Sequence, residues 1–466
     1  MAVAKVERRA ERQADEATLY KTYVDSGVLS EVSDTESQII YGRRGVGKTH
    51  LLYFHRQRVS EADPHTLYLI VNCQTLASGL TGISSDPAVA GRMFFEEFLN
   101  TLADSLFDNI SRLELIQPGR RNAESATLAF VETINQTGNG FDFRNTASTL
   151  EKFRNAADLN KIYVALDEFV SIPEAVQPYF AEYLKRLFAA NKNVVIKIAS
   201  VTYQTKLLET IDSRQIGLES GADIFGDINL DVHFIWDENQ EAVQLFFLQV
   251  LYNHLADLLG WDLSVHRDVK ARTIVATFFT QEKCVQELVR ASEGNCRDLF
   301  NLFKLAYSEF KRDPRPGSSR IGLEHLKSAS RQWYRIGKLQ NISGKTRDEE
   351  FLNFLIQHVI KERKARTFMV HFSNWKHPVL LRLLNLRLLH LLRTTWTHPD
   401  RPGEPYYLFT VDYGCYVDLK NTQSEPEADL FFPAGDKTYD DLVPLDDRRS
   451  IRRIVLEKAD LDRFLV

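Results

Sequence analysis

The chain has 466 residues, 44% of them hydrophobic and 26% charged; that balance excludes a mainly disordered or fibrous polymer, and the length fits about three domains. Lys and Arg number 58 against 63 Asp and Glu, a net charge of −5, so the protein is no polycation and any nucleic-acid contact must come from a local basic patch. The four cysteines, at 73, 284, 296 and 415, are too few and too scattered for a disulfide scaffold or a paired CxxC metal site, which suits reduced thiols in a cytoplasmic setting.

The first 19 residues are charged and read as a helical arm within an N-terminal segment 1–36 that lacks the apolar stretch of a signal peptide. Gln38–Tyr41 has a strand pattern and runs into a glycine loop, then an amphipathic helix from Thr49. Thr66–Asn72 is a second buried strand; a mostly helical stretch follows, with Arg92–Leu113 its clearest helix, and Gly138-Asn139-Gly140 breaks the chain. Ile162–Leu166 and Val194–Ala199 are short continuous apolar runs, the pattern of parallel strands covered on both faces, and a shorter strand is expected at Ile228–Val232. Strands alternating with helices predict an α/β domain with a parallel sheet over 37–235. The pattern then turns helical, for example at Glu241–Leu259 and Arg297–Phe310, predicting an α-helical unit over 236–339. Residues 313–319 read as a surface loop and 340–347 as a linker.

A third unit, 340–420, combines helices at Glu349–Lys361 and Val379–Arg393 with strand-like runs at Tyr406–Val411 and Tyr416–Leu419, and an acidic segment 421–466 closes the chain. The most apolar segment, Val379–Leu392, is interrupted by Arg382, Arg387 and His390 and is shorter than the about 20 residues of a membrane span, so no membrane partner is expected.

Gly42-Arg43-Arg44-Gly45-Val46-Gly47-Lys48-Thr49 matches the Walker A pattern between an apolar strand and a helix. Its glycines let the backbone wrap phosphates with N–H groups pointing inward, and the following helix offers its positive N-terminus to the anion. Lys48 is expected to reach the β- and γ-phosphates and Thr49 to bind Mg²⁺; with His50, residues 42–50 form the expected ATP-binding segment. Ile162-Tyr163-Val164-Ala165-Leu166-Asp167-Glu168 supplies the second half: a buried strand ending in two carboxylates at the sheet edge where ligands of open α/β sheets bind. Asp167 is expected to hold the metal ion and Glu168 to polarise the attacking water.

These residues resemble the AAA+ ATPases, and later segments extend the likeness towards their origin-recognition and initiator branch. The resemblance implies a polar sensor 1 residue after Val194–Ala199, here Thr202 or Ser200, and an arginine finger from Ile211-Asp212-Ser213-Arg214, reaching a neighbouring subunit's nucleotide. It also implies a sensor 2 arginine, Arg297, in Ala291-Ser292-Glu293-Gly294-Asn295-Cys296-Arg297-Asp298, which in the family reaches the γ-phosphate from a helical lid. The same branch carries a winged-helix domain after the lid, so 340–420 is expected to be winged-helix-like, with Asp400-Arg401-Pro402-Gly403 at its hairpin.

From Lys361 to Trp396 there are eight Lys/Arg (361, 363, 364, 366, 376, 382, 387, 393) against one acid, Glu362. This basic region suits double-stranded DNA. In the helix expected over Val379–Arg393, Arg382, Arg387, His390, Arg393 and Thr394 share one side, and that side could read a groove, contact the ATPase core or bind a partner protein. His371, His377 and His390 lack metal-ligand spacing and read as structural.

The leading expectation is an AAA+ ATPase working as a nucleotide-gated, homo-oligomeric switch coupled to DNA or to an effector protein. The resemblance implies prokaryotic DNA handling or anti-phage defence as its setting. An alternative is a slow or non-hydrolysing ATP-binding scaffold like the STAND regulators related to AAA+. Another is an interaction protein whose third domain binds protein instead of DNA.

Overall fold

A computed structural model of the chain describes residues 16–465 except 33–34, 81, 112, 114–116, 136–140, 190, 237–238, 314–318, 343, 345, 399–400 and 420–453. Most of the expected arm, the Gly138–Gly140 break, most of the 313–319 loop, Asp400 and most of the acidic segment lie outside the described residues. The chain divides into two compact units, residues 13–230 and residues 231–466.

The first unit opens with helices α1 (Glu16–Thr22) and α2 (Leu29–Val32), then β1 (Gln38–Tyr41), α3 (Lys48–Ala62), β2 (Thr66–Asn72), α4 (Cys73–Gly79), α5 (Pro87–Ile110), α6 (Gln117–Asn135) and α7 (Phe143–Ala156). β3 (Lys161–Asp167), α8 (Gln177–Phe188), β4 (Val194–Ser200), a hairpin of β5 (Leu208–Ile211) and β6 (Arg214–Gly217), and β7 (Phe225–Asn229) complete it. The five-stranded sheet has the order β2-β3-β4-β1-β7, and every pair in it is parallel. β4 therefore separates β1 from β3, so the loops leaving these three strands meet at one edge.

The strands expected at 38–41 and 66–72 form with those bounds, and the other two core strands extend by one residue or two. The strand expected at Ile228–Val232 runs instead from Phe225 to Asn229 and is followed by a 3₁₀ turn, Leu230–Phe234. Its start is set by β1: Phe225 N–H donates to Ser37 O (2.7 Å), and Gly226 lies where a Cβ would come within 2.8 Å of Ile39 N. α5 begins earlier than the apolar pattern suggests because Asp86 caps it, accepting from Ala88 and Val89 N–H, with Pro87 in the first turn. Its Phe94, Phe95, Phe98, Leu102 and Leu106 join Phe169, Phe180 and Leu184 in the main core. Each such side chain contributes about 1.5–3 kcal/mol on burial.

The second unit begins with α9 (Gln240–Leu259), α10 (Arg267–Phe278), α11 (Glu282–Ser292), α12 (Cys296–Arg312) and α13 (Leu323–Trp333). α9 is the one described helix long and apolar enough to cross a membrane, and half of its most apolar window is buried within the protein; Phe247, Leu251 and Leu255 are among its buried residues. A π-helical turn (Tyr334–Lys338) and a 3₁₀ turn (Leu339–Asn341) lead to α14 (Thr346–Leu355), β8 (Thr367–His371), α15 (Pro378–Asn385), β9 (Leu389–His398), β10 (Arg401–Val411), β11 (Ile454–Leu456) and α16 (Lys458–Asp462). The second sheet has the order β11-β8-β10-β9; β10 is antiparallel to β8 and β9, while β11 is parallel to β8.

Three expectations are corrected here. The helix expected over Val379–Arg393 stops at Asn385: Arg387 turns left-handed (φ 58°), and from Leu389 the chain pairs with β10, Leu389 opposite Val411. A leucine-rich run fits a buried helix or a buried strand equally well, and the partner strand decides. The shared polar side of Arg382, Arg387, His390, Arg393 and Thr394 therefore does not exist. Tyr416–Leu419 is not a strand: Asp412 accepts from Gly414 N–H, and the chain leaves β10 through two 3₁₀ turns. The expected 340–347 linker is ordered at its start, with Ile342 buried, and helical from Thr346.

Candidate functional site

β1 hands the chain to the glycine loop at the sheet's C-terminal edge. Gly42 N–H donates to Ser200 O at the end of β4 (3.1 Å), so the loop starts beside that strand. Gly45 (φ 90°) and Gly47 (φ 115°) take left-handed conformations that cost a side-chain residue about 1–2 kcal/mol. α3 follows directly, presenting its first N–H groups and positive dipole end to the loop.

Lys48 is only 6% exposed, and its Nζ donates to Gly42 O (2.7 Å) and Arg43 O (3.1 Å). The cation is thus held across the loop. Thr49 Oγ1 donates to Asp167 Oδ2 (2.7 Å), and Asp167 Oδ1 accepts from Glu168 N–H (2.9 Å). The two sequence motifs, 118 residues apart, therefore converge on one hydroxyl–carboxylate pair.

Asp167 is 2% exposed. Burial raises its pKa, and the neighbouring charge of Glu168 adds to this; the Thr49 bond, Lys48 and the Glu168 N–H pull the other way without reversing it. Glu168 itself is half-buried and left-handed (φ 51°), a conformation uncommon outside glycine and found at functional sites. Thr49 and Asp167 present adjacent hard oxygens, which fits Mg²⁺, a cation usually held by one or two carboxylates plus substrate phosphates. Among the described residues no group of three or more His, Cys, Asp or Glu could form an all-protein metal cage.

Within the loop, Arg43 and Val46 are buried and Arg44 is exposed. The His50 ring is turned to α1: it bonds Leu19 O and meets Tyr23 edge-on, centroids 5.5 Å apart. Burial lowers its pKa. Ser200 is buried with its hydroxyl 2.6 Å from Thr205 Oγ1, while Thr202 opens a half-buried 3₁₀ turn just beyond β4.

Arg214 is exposed on a hairpin not expected from the sequence. Ile211 pairs with Arg214, and Asp212 and Ser213 between them are both left-handed (φ 48° and 65°), as a two-residue hairpin turn of the primed type requires. The base of the hairpin is anchored: Gly217 N–H donates to Glu182 Oε2 (3.1 Å), and Leu218 N–H to Leu207 O (2.9 Å). Asp212-Ser213 lacks the glycine that marks a two-residue hairpin turn in sequence, so no local signal pointed to it.

Arg297 belongs to the second unit. Asn295 caps α12, accepting from Arg297 and Asp298 N–H (3.0 and 3.2 Å). Glu293 and Gly294 before it are both left-handed (φ 48° and 73°), and a Cβ on Gly294 would lie 2.6 Å from Phe234 O; the turn is tight.

Seven of the eight cations of the basic region divide into two sets, and the eighth, Arg393, is half-buried with its guanidinium over the Trp396 ring (5.2 Å). Lys361, Arg363, Lys364 and Lys376 are exposed. Arg366 is buried and pairs with Glu293 (3.7 Å), Arg382 pairs with Asp348 (2.5 Å), and Arg387 pairs with Asp298. Of the three histidines, His371 contacts Ser373, His377 contacts Asp462 and His390 contacts Asp412.

No family model matches the chain, and no curated protein matches its sequence. Among solved structures, the Aeropyrum pernix Orc1 protein in complex with DNA is similar with a TM-score of 0.34 and 13% identity, over 86% of this chain and 93% of that one.

Proposed function

We propose that this chain is a Mg²⁺-dependent ATPase of the AAA+ type that works as a nucleotide-gated switch. The observation that carries the reading is the hydrogen-bonded Thr49–Asp167 pair beside the buried Lys48. A hydroxyl, a carboxylate and an ammonium at the mouth of a glycine loop form a site for a metal-bound polyphosphate. The loop amides and Lys48 bind the phosphates. Thr49 and Asp167 hold Mg²⁺, which when bound neutralises phosphate charge. Glu168, at the same strand end, accepts a proton from the attacking water.

Within this reading the chain divides into an ATPase core (37–235), a helical lid (236–339) and a winged-helix-like domain (340–420). The order α14, β8, α15, β9, β10 supports the last assignment: helix, strand, helix, then a two-stranded hairpin. Arg297 senses the γ-phosphate from the lid. Arg214, exposed at a hairpin tip, serves a neighbouring subunit in a homo-oligomer, where an arginine supplied in trans stabilises transferring-phosphoryl charge. Thr202 is the sensor 1 residue, since the Ser200 hydroxyl is engaged by Thr205. The output is DNA engagement through Lys361, Arg363, Lys364 and Lys376, or control of an effector protein, in DNA handling or anti-phage defence.

The test is steady-state ATP hydrolysis by the purified chain with and without double-stranded DNA, with Glu168→Gln as the blank. Turnover above the blank, stimulated by DNA, supports a DNA-handling ATPase. Turnover that ignores DNA moves the partner to protein. ATP binding with a rate no higher than the blank replaces the reading with a non-hydrolysing scaffold, for which the engaged Ser200 hydroxyl is the favouring observation.

A further inference from the structure

The turn that carries Arg297 is held by charges from the chain beyond the lid. Two acids flank this arginine, Glu293 before it and Asp298 after it. Both are buried, and both pair with arginines of the segment 366–387: Glu293 with Arg366 and Asp298 with Arg387. These are two of the basic residues that composition alone assigns to a DNA surface.

A third cation completes the cluster. Lys338, 1% exposed, lies in the π-helical turn between α13 and α14. It contacts Asp298 (3.4 Å) and Asp412, each itself 1% exposed. Asp412 also bonds His390 Nε2 (2.9 Å), and its N–H donates to Leu388 O (3.0 Å). A buried path thus runs Asp298–Lys338–Asp412–His390, beginning at the residue next to Arg297, and Arg387, in the turn just after α15, bridges to Asp298.

The rest of this contact is close-fitting. Tyr413 OH donates to Glu287 Oε2 on α11 (2.6 Å), and Arg331 on α13 pairs with Asp418 (2.5 Å). A Cβ on Gly414 would meet Tyr334 Cβ at 2.6 Å. Arg387 occupies a left-handed helix-end position where glycine is usual, so an arginine there carries a backbone cost while its guanidinium reaches Asp298. Charges buried this deeply tolerate few arrangements, because each displaced partner leaves an uncompensated ion. Such a cluster shifts between discrete states instead of deforming smoothly.

We infer that the buried Asp298, Lys338 and Asp412, with the half-buried Arg387, form a charge relay through which the C-terminal domain positions Arg297 and thereby sets the discrimination between ATP and ADP. The inference rests on the reading of Arg297 as the γ-phosphate sensor. Arg387 is a positioning residue: it acts through Asp298 on the turn. By reciprocity, a ligand that rearranges the C-terminal domain alters ATP affinity, and ATP alters the affinity for that ligand by the same factor.

The test compares affinities of the full chain for Mg²⁺-ATPγS and Mg²⁺-ADP by titration calorimetry, in wild type, Arg297→Ala, Arg387→Gln, Arg387→Lys and the Arg297→Ala/Arg387→Gln double variant. Arg387→Gln is expected to lower the ATPγS-over-ADP preference by at least about 5-fold, the low end of site-to-site coupling, with ADP affinity little changed. Arg387→Lys recovers part of it, and the double variant is no worse than Arg297→Ala. Equal preference in Arg387→Gln and wild type, or additive losses in the double variant, overturns the relay while leaving the nucleotide site intact. A wild type that binds neither nucleotide overturns the relay and the underlying reading together.

A second measurement needs no cluster variant. Amide hydrogen exchange at 386–391 and 411–416 is expected to differ between the ATPγS and ADP states of the wild type, and that difference is expected to vanish in Arg297→Ala. Identical exchange in the two wild-type states overturns the relay.

Discussion

Replacing Lys338 by Met removes the cation that two buried carboxylates share while keeping the volume of the side chain. Lys338 contacts both Asp298 and Asp412 at nearly zero exposure. Deleting one partner of such a buried pair costs about 3–5 kcal/mol, because the remaining charge keeps its desolvation cost and loses its compensation. For a unit of 150–250 residues each kcal/mol lowers the melting temperature by about 2–4 °C, so the unit 231–466 is expected to melt about 6–20 °C lower. The pH dependence follows from the same charges. Burial opposes the charge on Asp412, but Lys338 and His390 outweigh it and hold the carboxyl below its ordinary value of 3.8. A depressed carboxylate contributes stability that is fully present above the unfolded value and lost as pH falls through the folded one. In Lys338→Met this contribution shrinks, so acid unfolding begins at higher pH than in wild type. Thermal melting read by tryptophan fluorescence is the assay, since Trp333 stacks under Arg387 (5.6 Å) beside the cluster. A melting point within about 2 °C of wild type contradicts this account of Lys338. So does a Lys338→Met/Asp412→Asn double variant that melts below the single one, because removing the orphaned charge should recover stability.

Glu168→Gln is expected to retain Mg²⁺-ATP binding while turnover falls about 10²–10⁴-fold, the usual contribution of a general base; binding and rate are measured on the same preparation. Asp167→Asn is expected to reduce the dependence of ATP affinity on Mg²⁺, read as the ratio of affinities with Mg²⁺ and with EDTA, since the neutral amide is a weaker ligand than the carboxylate. Gly217→Ala places a Cβ 1.9 Å from Leu207 O at a left-handed position (φ 109°), so the hairpin bearing Arg214 must move; limited proteolysis should cut residues 208–217 faster than in wild type. Changing Lys361, Arg363, Lys364 and Lys376 to Glu is expected to weaken DNA binding and flatten its salt dependence, by about 0.9 in log–log slope for each phosphate no longer neutralised; an unchanged slope removes DNA from that surface.

Much of the first unit was legible because its signals are local. Gln38–Tyr41 and Thr66–Asn72 are apolar runs with few alternatives, and Gly42–Thr49 carries its own geometry, since glycine alone reaches the required backbone angles cheaply. Asp167-Glu168 could be read as a strand end because Ile162–Leu166 precedes it. The leucine-rich run after Pro378 was not legible in the same way. Helix and strand both bury it, and pairing with the next strand, through Tyr406–Val411, ended the helix at Asn385. The β5–β6 hairpin escapes a sequence reading because its strands are four residues each, too short for periodicity to show.

Charge was the least legible property. Composition counts Arg366, Arg382 and Arg387 with Lys361 and Lys376 as one basic patch. The folded chain spends the first three on Glu293, Asp348 and Asp298 and leaves Lys361 and Lys376 exposed. The parallel strands and the residues at their ends are written in the order of the amino acids, because hydrophobic pattern and glycine freedom act over a few neighbouring residues. Which acid neutralises which arginine is settled by folding alone, because an ion pair depends on distance in space between residues far apart in the chain, as Arg387 and Asp298 are at 89 positions.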